Sequence, residues 1–168
     1  MVDILFKYVI FYTDLGWMGA TYSSKGLTKV ILPCDSREKV LAKARVRIAG
    51  IENGENTLEG DLPYRLKLYL AGEPVDFVDK LDLDGATAFQ KSVWNATQTI
   101  PYGETRSYGW VACKIKCNSA RAVGQALGKN PLPIIIPCHR VIGSSGKLVG
   151  FGAGLKMKEH LLNLERTR

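Results

Sequence analysis

Long hydrophobic runs are missing from this chain of 168 residues. Its apolar N-terminal stretch, residues 4–12, is interrupted by Lys7 and followed by Asp14. A membrane-spanning helix needs about 20 consecutive apolar residues, and a signal peptide needs an apolar core before a cleavage site of small residues. We therefore expect no membrane span and no signal peptide, and we expect the protein to be cytoplasmic.

Cysteine is also scarce. The four cysteines are too sparse for the disulfide framework of a secreted protein, and they lack the paired spacing of a zinc site. An intracellular protein with reduced thiols fits best. Cys113 and Cys117 stand four residues apart and would share one face of a helix, so we expect two buried core cysteines, with a disulfide as the less favoured alternative.

Acidic residues are rare in the second part of the chain. From residue 86 onward there are 12 Lys and Arg against 3 Asp and Glu, a net charge of +9, whereas residues 1–85 hold 11 against 13, a net charge of −2. This asymmetry favours a polyanionic partner for the C-terminal part. Charge alone is also compatible with a basic protein that does not touch nucleic acid.

The hydrophobic periodicity predicts an α/β (α+β) fold with two domains. Residues 1–80 are expected to form a small N-terminal support domain, with strands at 5–12 and 27–32 and helices at 37–48 and 62–71. A connector with extended segments at 75–77 and 81–83 follows. Residues 81–168 are expected to form a mainly helical C-terminal domain, whose first helix, at 89–100, has Thr87 as its N-cap.

Two short helical stretches, residues 108–115 and 119–127, are separated by a tight bend and have the spacing of a helix-turn-helix. The second would be the recognition helix. Small residues, among them Ala120, Ala122 and Gly124, crowd it, while Arg121 stands alone. Such a slim helix could enter a narrow groove of DNA, or it could pack closely against a neighbouring helix.

The strongest local signal is an apolar run, residues 134–136, followed by Pro-Cys-His-Arg at residues 137–140. We expect a buried strand that leads into a reactive turn. Cysteine attacks as a thiolate, and His139 and Arg140 are the nearest groups that could assist its ionisation. Neighbouring side chains of a strand point to opposite faces, so Cys138 and His139 couple only through a bend or a water. An inert buried thiol is the alternative.

The Pro-Cys-His-Arg-Val sequence at residues 137–141, with Asn130-Pro131 and the Ile-Pro-Tyr-Gly sequence at 100–103 before it, resembles the O6-alkylguanine-DNA alkyltransferase family. The similarity extends from about residue 81 to residue 165, roughly half of the chain. It implies that Cys138 accepts the alkyl group and that His139 activates the thiol through water. It also implies that Glu165 orients the histidine and that Asn130 is a hinge between the recognition helix and the active-site strand.

The same resemblance implies how the lesion is held. Tyr108 would rotate the lesion phosphate and donate a proton to the flipped guanine, and Arg121 would fill the vacated stack. The Val141 carbonyl would face the guanine amino group, and Phe151 and Gly152 would belong to the glycine-rich wall of the pocket. The family commonly has tyrosine where Phe151 stands, so hydrogen bonding from that wall is in doubt.

Three further expectations concern charged residues and metals. Lys156 and Lys158 are expected to be solvated surface residues with a modest prospect of DNA contact. Arg140 is expected to hold the two parts of the chain together through an acidic partner. Some relatives carry zinc in the N-terminal part, but this chain offers only Cys34 there, so we expect no metal and no cofactor.

The resemblance therefore implies DNA repair by a monomer that acts on double-stranded DNA. It would move a methyl or other alkyl group from O6-alkylguanine, with O4-alkylthymine as a further candidate, to Cys138 in a single turnover. Three alternatives remain at this point: a lesion sensor without transfer activity, a helix-turn-helix regulator, and a cysteine hydrolase with true turnover.

Overall fold

The computed structural model describes residues 7–44 and 61–166. The chain divides into two compact units, one formed by residues 1–67 and 76–84, the other by residues 68–75 and 85–168. Residues 68–75, which the sequence analysis assigned to the N-terminal domain, thus belong with the C-terminal helices. Among the described residues, no helix is long and apolar enough to cross a membrane.

The first unit contains a three-stranded antiparallel sheet in the order β1-β2-β3. The strands are β1 (Lys7–Thr13), β2 (Gly16–Ser23) and β3 (Gly26–Cys34). The sequence analysis missed β2, because its glycines suggested only a connection between two strands. Gly16 has a φ of +120°, and a Cβ there would lie 2.5 Å from the Cys34 carbonyl oxygen, so the turn into β2 requires glycine.

One helix packs on this sheet. Helix α1 (Arg37–Ala44) begins where the Ser36 hydroxyl accepts from the Lys39 amide, as expected of an N-cap. Its buried Val40 lies against β2 where Gly19 leaves room, since a Cβ at Gly19 would be 2.6 Å from a Val40 methyl. The ends of the predicted strand at 5–12 and helix at 37–48 lie partly outside the described residues.

Helix α2 (Leu62–Leu70) agrees with the prediction for 62–71. The extended segment after it makes a bridge between Leu81 and Leu27, so the connector belongs with the sheet of the first unit. On this helix Leu62, Leu66 and Tyr69 are almost completely buried.

The second unit is mainly helical. Its helices are α3 (Ala88–Gln98), α4 (Tyr108–Lys114), α5 (Ala120–Gly128) and α6 (Leu155–Arg166). Thr87 caps α3 in a full capping box, as predicted. Helices α4 and α5 lie where the helix-turn-helix was predicted, and the Trp94 indole of α3 donates to the Ala126 carbonyl of α5 at 3.0 Å. The predicted α+β class is confirmed.

The predicted strand at 134–136 is wrong. Residues 134–136 are buried, but Ile134 has a φ of +73° and the Ile136 amide donates back to the Leu132 carbonyl at 2.8 Å, so the segment is a compact turn. An apolar run that is buried on all sides has no periodicity that distinguishes a strand from a turn. Only Val141–Ile142 form a short strand, β5, parallel to β4 (Arg106–Ser107).

The expectation of two buried core cysteines is also wrong. Cys113 is exposed and Cys117 is half-buried, and both are free thiols. Helix α4 ends at Lys114 and the chain turns through a φ of +57° at Lys116, so the four-residue spacing does not lie along one helical face. The Cys117 sulfur instead accepts a hydrogen bond from the Ser119 amide at the start of α5.

Candidate active site around Cys138

Cys138 begins a one-turn 3-10 helix, Cys138–Arg140, between the buried turn and strand β5. The thiol is almost completely buried, with 8% of the residue exposed. Its amide donates to the Ile136 carbonyl at 2.7 Å, and the Arg140 amide donates to the Pro137 carbonyl at 2.9 Å. This helical turn supplies the bend that the sequence analysis required for any coupling between Cys138 and His139, because consecutive side chains do not alternate across it.

Asn130 connects the end of α5 to the segment before Cys138. Its amide donates to the Leu127 carbonyl in the last turn of α5 at 3.1 Å. Its side-chain nitrogen donates to the Ile136 carbonyl at 2.9 Å, and its side-chain oxygen accepts from the Leu132 amide at 2.8 Å. These hydrogen bonds join the end of α5 to the turn before Cys138, where the resemblance implied a hinge.

His139 is completely buried and faces Glu165 of α6. Its Nε2 lies 2.7 Å from Glu165 Oε1. Among the described residues, its buried Nδ1 has no hydrogen-bond partner. Burial lowers the pKa of His139, and the hydrogen bond to Glu165 opposes this change without cancelling it. The imidazole is therefore neutral, with its proton on Nε2 and a basic Nδ1.

Glu165 is held by several donors. Arg140 donates from Nε to Oε2 at 2.9 Å and from Nη2 to Oε1 at 3.0 Å. The Tyr69 hydroxyl donates to Oε1 at 2.6 Å. Burial would raise the pKa of Glu165, but hydrogen bonds from His139, Arg140 and Tyr69 outweigh it and lower this pKa from 4.5 to about 2. The carboxylate stays ionised beside the histidine.

Two sequence expectations are affected by this cluster. The acidic partner of Arg140 is Glu165, which lies in the same unit, so the expected link between two parts of the chain is wrong. Tyr69 was missed altogether. It lies 70 residues before His139 in the sequence, and nothing in the pattern of α2 separates it from an ordinary core aromatic.

Lys158 is a further correction, because it was expected at the surface and is completely buried. Its ammonium donates to the Val141 carbonyl at 2.6 Å, the Val149 carbonyl at 3.0 Å and the Gly150 carbonyl at 3.4 Å. The signal was present in the sequence. The buried residues of α6 are at helical spacing: Lys158, Leu161, Leu162 and Glu165.

The electrostatics of the thiol combine opposing effects. Burial raises the pKa of Cys138 above its usual value, while the Asn130 hydrogen bond and the Lys158 charge lower it without cancelling the effect of burial. Burial lowers the pKa of Lys158, and Cys138 partly opposes this. The resting pair is a neutral thiol beside a neutral imidazole, so proton removal has to accompany attack.

Tyr108 lies on α4, and the other predicted contact residues lie on α5, on β5 and in the loop after β5. The Tyr108 hydroxyl donates to the Val149 carbonyl at 2.7 Å. Gly124 faces the Tyr108 ring, and a Cβ there would lie 3.7 Å from a ring carbon, an ordinary van der Waals contact, so this packing does not require glycine. Ala120 and Arg121 are exposed and Ala122 is half-buried.

The predicted pocket wall is only partly brought together. Val141 is buried, and its carbonyl, expected to face guanine, accepts from Lys158 at 2.6 Å. Phe151 is half-buried and Gly152 is exposed. Within residues 7–44 and 61–166, no group of three or more His, Cys, Asp or Glu side chains could hold a metal ion.

The chain is similar to known proteins with a shared family name. Residues 88–167 match the family described as 6-O-methylguanine DNA methyltransferase, DNA binding domain. A Methanosarcina acetivorans protein named methylated-DNA–protein-cysteine methyltransferase is 45% identical over 159 residues, which cover 94% of this chain and 97% of that protein. This chain belongs to the 6-O-methylguanine DNA methyltransferase family. The resemblance identified from the sequence is confirmed.

Other members of the methyltransferase family extend the comparison. The Mycobacterium tuberculosis protein of the same name is 57% identical over 105 residues, 62% of this chain, and the match spans 63% of that protein. The crystal structure of Mycobacterium tuberculosis O6-methylguanine methyltransferase has a TM-score of 0.75 at 40% identity, covering 98% of this chain and 94% of that one. Mycobacterium tuberculosis OGT in complex with DNA has a TM-score of 0.72 at 39% identity, covering 95% and 92%.

Proposed function

We propose that this protein repairs DNA by transferring the alkyl group of O6-alkylguanine to Cys138, once per molecule. The observation that carries the proposal is the buried Cys138–His139 turn, in which Glu165 engages His139 Nε2 and Nδ1 is left as a base. The names of the relatives support it, because they describe transfer to a protein cysteine from methylated DNA. Membership of the family alone would not indicate which cysteine reacts.

The reaction begins with the thiol proton. His139 Nδ1 withdraws it, directly or through a bridging water, while Glu165 stabilises the imidazolium that forms. The Cys138 sulfur then attacks the alkyl carbon, and a carbon–sulfur bond forms as the bond from that carbon to guanine O6 breaks. Guanine leaves with the electron pair and takes up a proton, for which the Tyr108 hydroxyl is the proposed donor.

The transfer ends with a thioether on Cys138. A thioether offers water no good leaving group, and no second nucleophile is among the residues proposed for the site. We therefore expect stoichiometric repair without turnover. The same argument separates this protein from a cysteine hydrolase, in which an acyl thioester would be released by water.

Double-stranded DNA is the proposed partner, and a monomer is the proposed acting form. An alkylated base within a duplex reaches a buried thiol only after it is flipped out of the stack. Arg121 is exposed on α5 and has the length to fill the gap, while Ala120 and Ala122 beside it allow a close approach. The related Mycobacterium tuberculosis OGT forms a complex with DNA, which supports DNA as the partner. A protein of the cytoplasm with access to DNA fits this function.

The proposal is tested by incubating the protein with a duplex that contains O6-methylguanine and then measuring its mass. One methyl group, located on the Cys138 peptide, is expected per molecule. Cys138→Ala should gain no mass and should still bind the duplex, and Cys34→Ala serves as the matched control that reacts normally.

The alternatives give other results in the same experiment. Binding to the lesion without a gain in mass would indicate a sensor, and equal binding to undamaged DNA of one sequence would indicate a regulator. Repeated turnover with an unmodified thiol would indicate a hydrolase. Each of these three results would overturn the proposed transfer to Cys138.

A further inference from the structure

The hydroxyl of Tyr69 lies inside the buried His139–Glu165 pair. It donates to Glu165 Oε1 at 2.6 Å and lies 3.0 Å from His139 Nε2. The same Oε1 is 2.7 Å from that Nε2, so three polar atoms form a closed triangle. Only 1% of Tyr69 is exposed. A polar group this deeply buried usually has a defined hydrogen-bonding role.

The single hydroxyl proton of Tyr69 and the acceptors around it define that role. A phenol has a single proton to donate, and a buried carboxylate is a stronger acceptor than a neutral imidazole nitrogen. With its proton on Glu165, the Tyr69 oxygen presents a lone pair to His139 Nε2. Both neighbours of Nε2 are then acceptors, so Nε2 carries the imidazole proton and Nδ1 does not.

The charged surroundings keep this arrangement in place. Glu165 faces Tyr69 from α6, Arg140 faces it from the 3-10 turn, and the Tyr102 ring packs edge-on against it at 6.2 Å between centroids. The charge of Lys158 also acts on His139. Burial and Glu165 raise the pKa of Tyr69, so its hydroxyl stays protonated and remains a donor.

We propose that Tyr69 is a positioning residue for alkyl transfer, and that its hydroxyl, donating to Glu165 beside His139 Nε2, holds the imidazole in the tautomer whose Nδ1 accepts the thiol proton. This inference rests on the proposed function and adds a member to its relay. Tyr69 acts through His139 and Glu165 and does not touch the reacting atoms.

Loss of the Tyr69 hydroxyl should change how the rate of alkyl transfer depends on pH. In Tyr69→Phe the Glu165 carboxylate keeps Arg140 but loses the phenol, so more of its charge acts on His139 and the imidazolium becomes more stable. The pKa of His139 rises, and the acid limb of the transfer rate moves to higher pH by about half a unit to one unit. On the acid limb the rate falls by about three- to tenfold, whereas at neutral pH, above that limb, it falls by at most about threefold.

The experiment measures single-turnover transfer from free O6-benzylguanine to the full chain over the pH range in which imidazole titrates. Tyr64→Phe is the matched control, because Tyr64 is an exposed tyrosine of the same helix and should leave the profile unchanged. Tyr102→Phe removes a hydroxyl that donates to the Gly72 carbonyl at 3.0 Å, and should lower thermal stability without moving the acid limb.

The outcomes separate the two proposals. No transfer by the unsubstituted protein would overturn the proposed function itself. Normal transfer with an unchanged Tyr69→Phe profile, or with a uniform loss at every pH, would overturn only the role of Tyr69. Should Tyr69→Phe fail to fold, nitrogen NMR of His139 in the unsubstituted protein decides instead. A proton on Nε2 is expected, and a proton on Nδ1 would overturn the inference.

Discussion

Lys158 places an ammonium group in the buried interior of the second unit, where three carbonyl oxygens replace the water it has lost. Two of those carbonyls, from Val149 and Gly150, belong to the loop after β5, and the third belongs to β5 itself. The lysine therefore joins that loop to the strand that follows Cys138. Its charge also favours the Cys138 thiolate, which burial disfavours.

Replacement of this lysine should change the ionisation of the thiol. In Lys158→Met the side chain keeps a similar length but loses its charge, which lowers the pKa of Cys138 in the unsubstituted protein, so this pKa should rise. Transfer at neutral pH should fall about tenfold and recover in part at alkaline pH. The rate of Cys138 alkylation by iodoacetamide, followed against pH, measures this change. Lys156→Met, on the exposed side of α6, is the control, and an identical pH dependence in both variants would contradict the prediction.

Glu165 should make the free energy of unfolding depend on pH in the acidic range. Its pKa is lowered in the folded chain from 4.5 to about 2, so its contribution is complete above pH 4.5 and is lost as the pH falls towards 2. The shift corresponds to about 3 kcal/mol at neutral pH. Urea unfolding at several pH values should show a shallower decline in this window for Glu165→Gln than for the unsubstituted protein. Glu159→Gln, an exposed neighbour on α6, should keep the original decline, and equal declines in all three would disprove the assignment.

At the scale of elements, hydrogen bonds join the end of α5 to the turn that precedes Cys138. The helix begins at the Ser119 cap and ends just before Asn130, whose side chain bonds to the Leu132 amide and the Ile136 carbonyl. The helix that we propose contacts DNA is thus joined to the turn that carries the proposed nucleophile by hydrogen bonds over few residues. The helix presents Arg121 to solvent and packs Gly124 on Tyr108.

The flipping role of Arg121 predicts a difference between two substrates. Arg121→Ala should slow repair of a lesion in duplex DNA by about ten- to a hundredfold, because extrusion of the base costs a few kcal/mol that the side chain offsets. Reaction with free O6-benzylguanine should stay within about twofold of the unsubstituted rate, because no base is extruded. Single-turnover rates on both substrates measure this difference. Lys129→Ala removes another exposed cation near the end of α5, and the same loss in that variant would mean that Arg121 is only one more phosphate contact.

The sequence predicted helices better than turns in this chain. The Thr87 cap and the apolar periodicity placed α3, and the spacing of a helix-turn-helix placed α4 and α5, because these patterns depend on residues close together in the sequence. The turn at 134–136 was predicted as a strand, since its apolar residues are buried and carry no period. Strand β2 was missed because its glycines are required by the Cys34 carbonyl and the Val40 side chain, which lie far away in sequence.

At the scale of the whole molecule, charge is the property that the proposed function uses. The net charge of +9 after residue 85 contrasts with −2 before it. Such a distribution attracts a polyanion to one part of the chain and leaves the other part without that attraction. Binding to duplex DNA should then be driven largely by the release of counterions.

The salt concentration should therefore affect DNA binding much more than alkyl transfer to the thiol. Raising the salt concentration from about 50 mM to about 200 mM should weaken duplex binding by about a hundredfold or more. Transfer from free O6-benzylguanine should change by less than about twofold, since the reaction at a buried thiol involves no phosphate contact and salt screens buried charges little. Fluorescence anisotropy of a labelled duplex and the single-turnover rate measure the two effects. Equal salt sensitivity of both would contradict an electrostatic role for the C-terminal charge.

The sequence by itself determined the family and the α+β class and singled out the motif of the proposed nucleophile, because these depend on residues that are adjacent or a few positions apart. Tertiary structure alone decided which imidazole nitrogen of His139 is free, that Lys158 is buried among carbonyls, and that Tyr69 completes the cluster at Glu165. These contacts join residues that are far apart in the chain. Their geometry is set by how whole elements pack, and packing leaves no local period for the sequence to display.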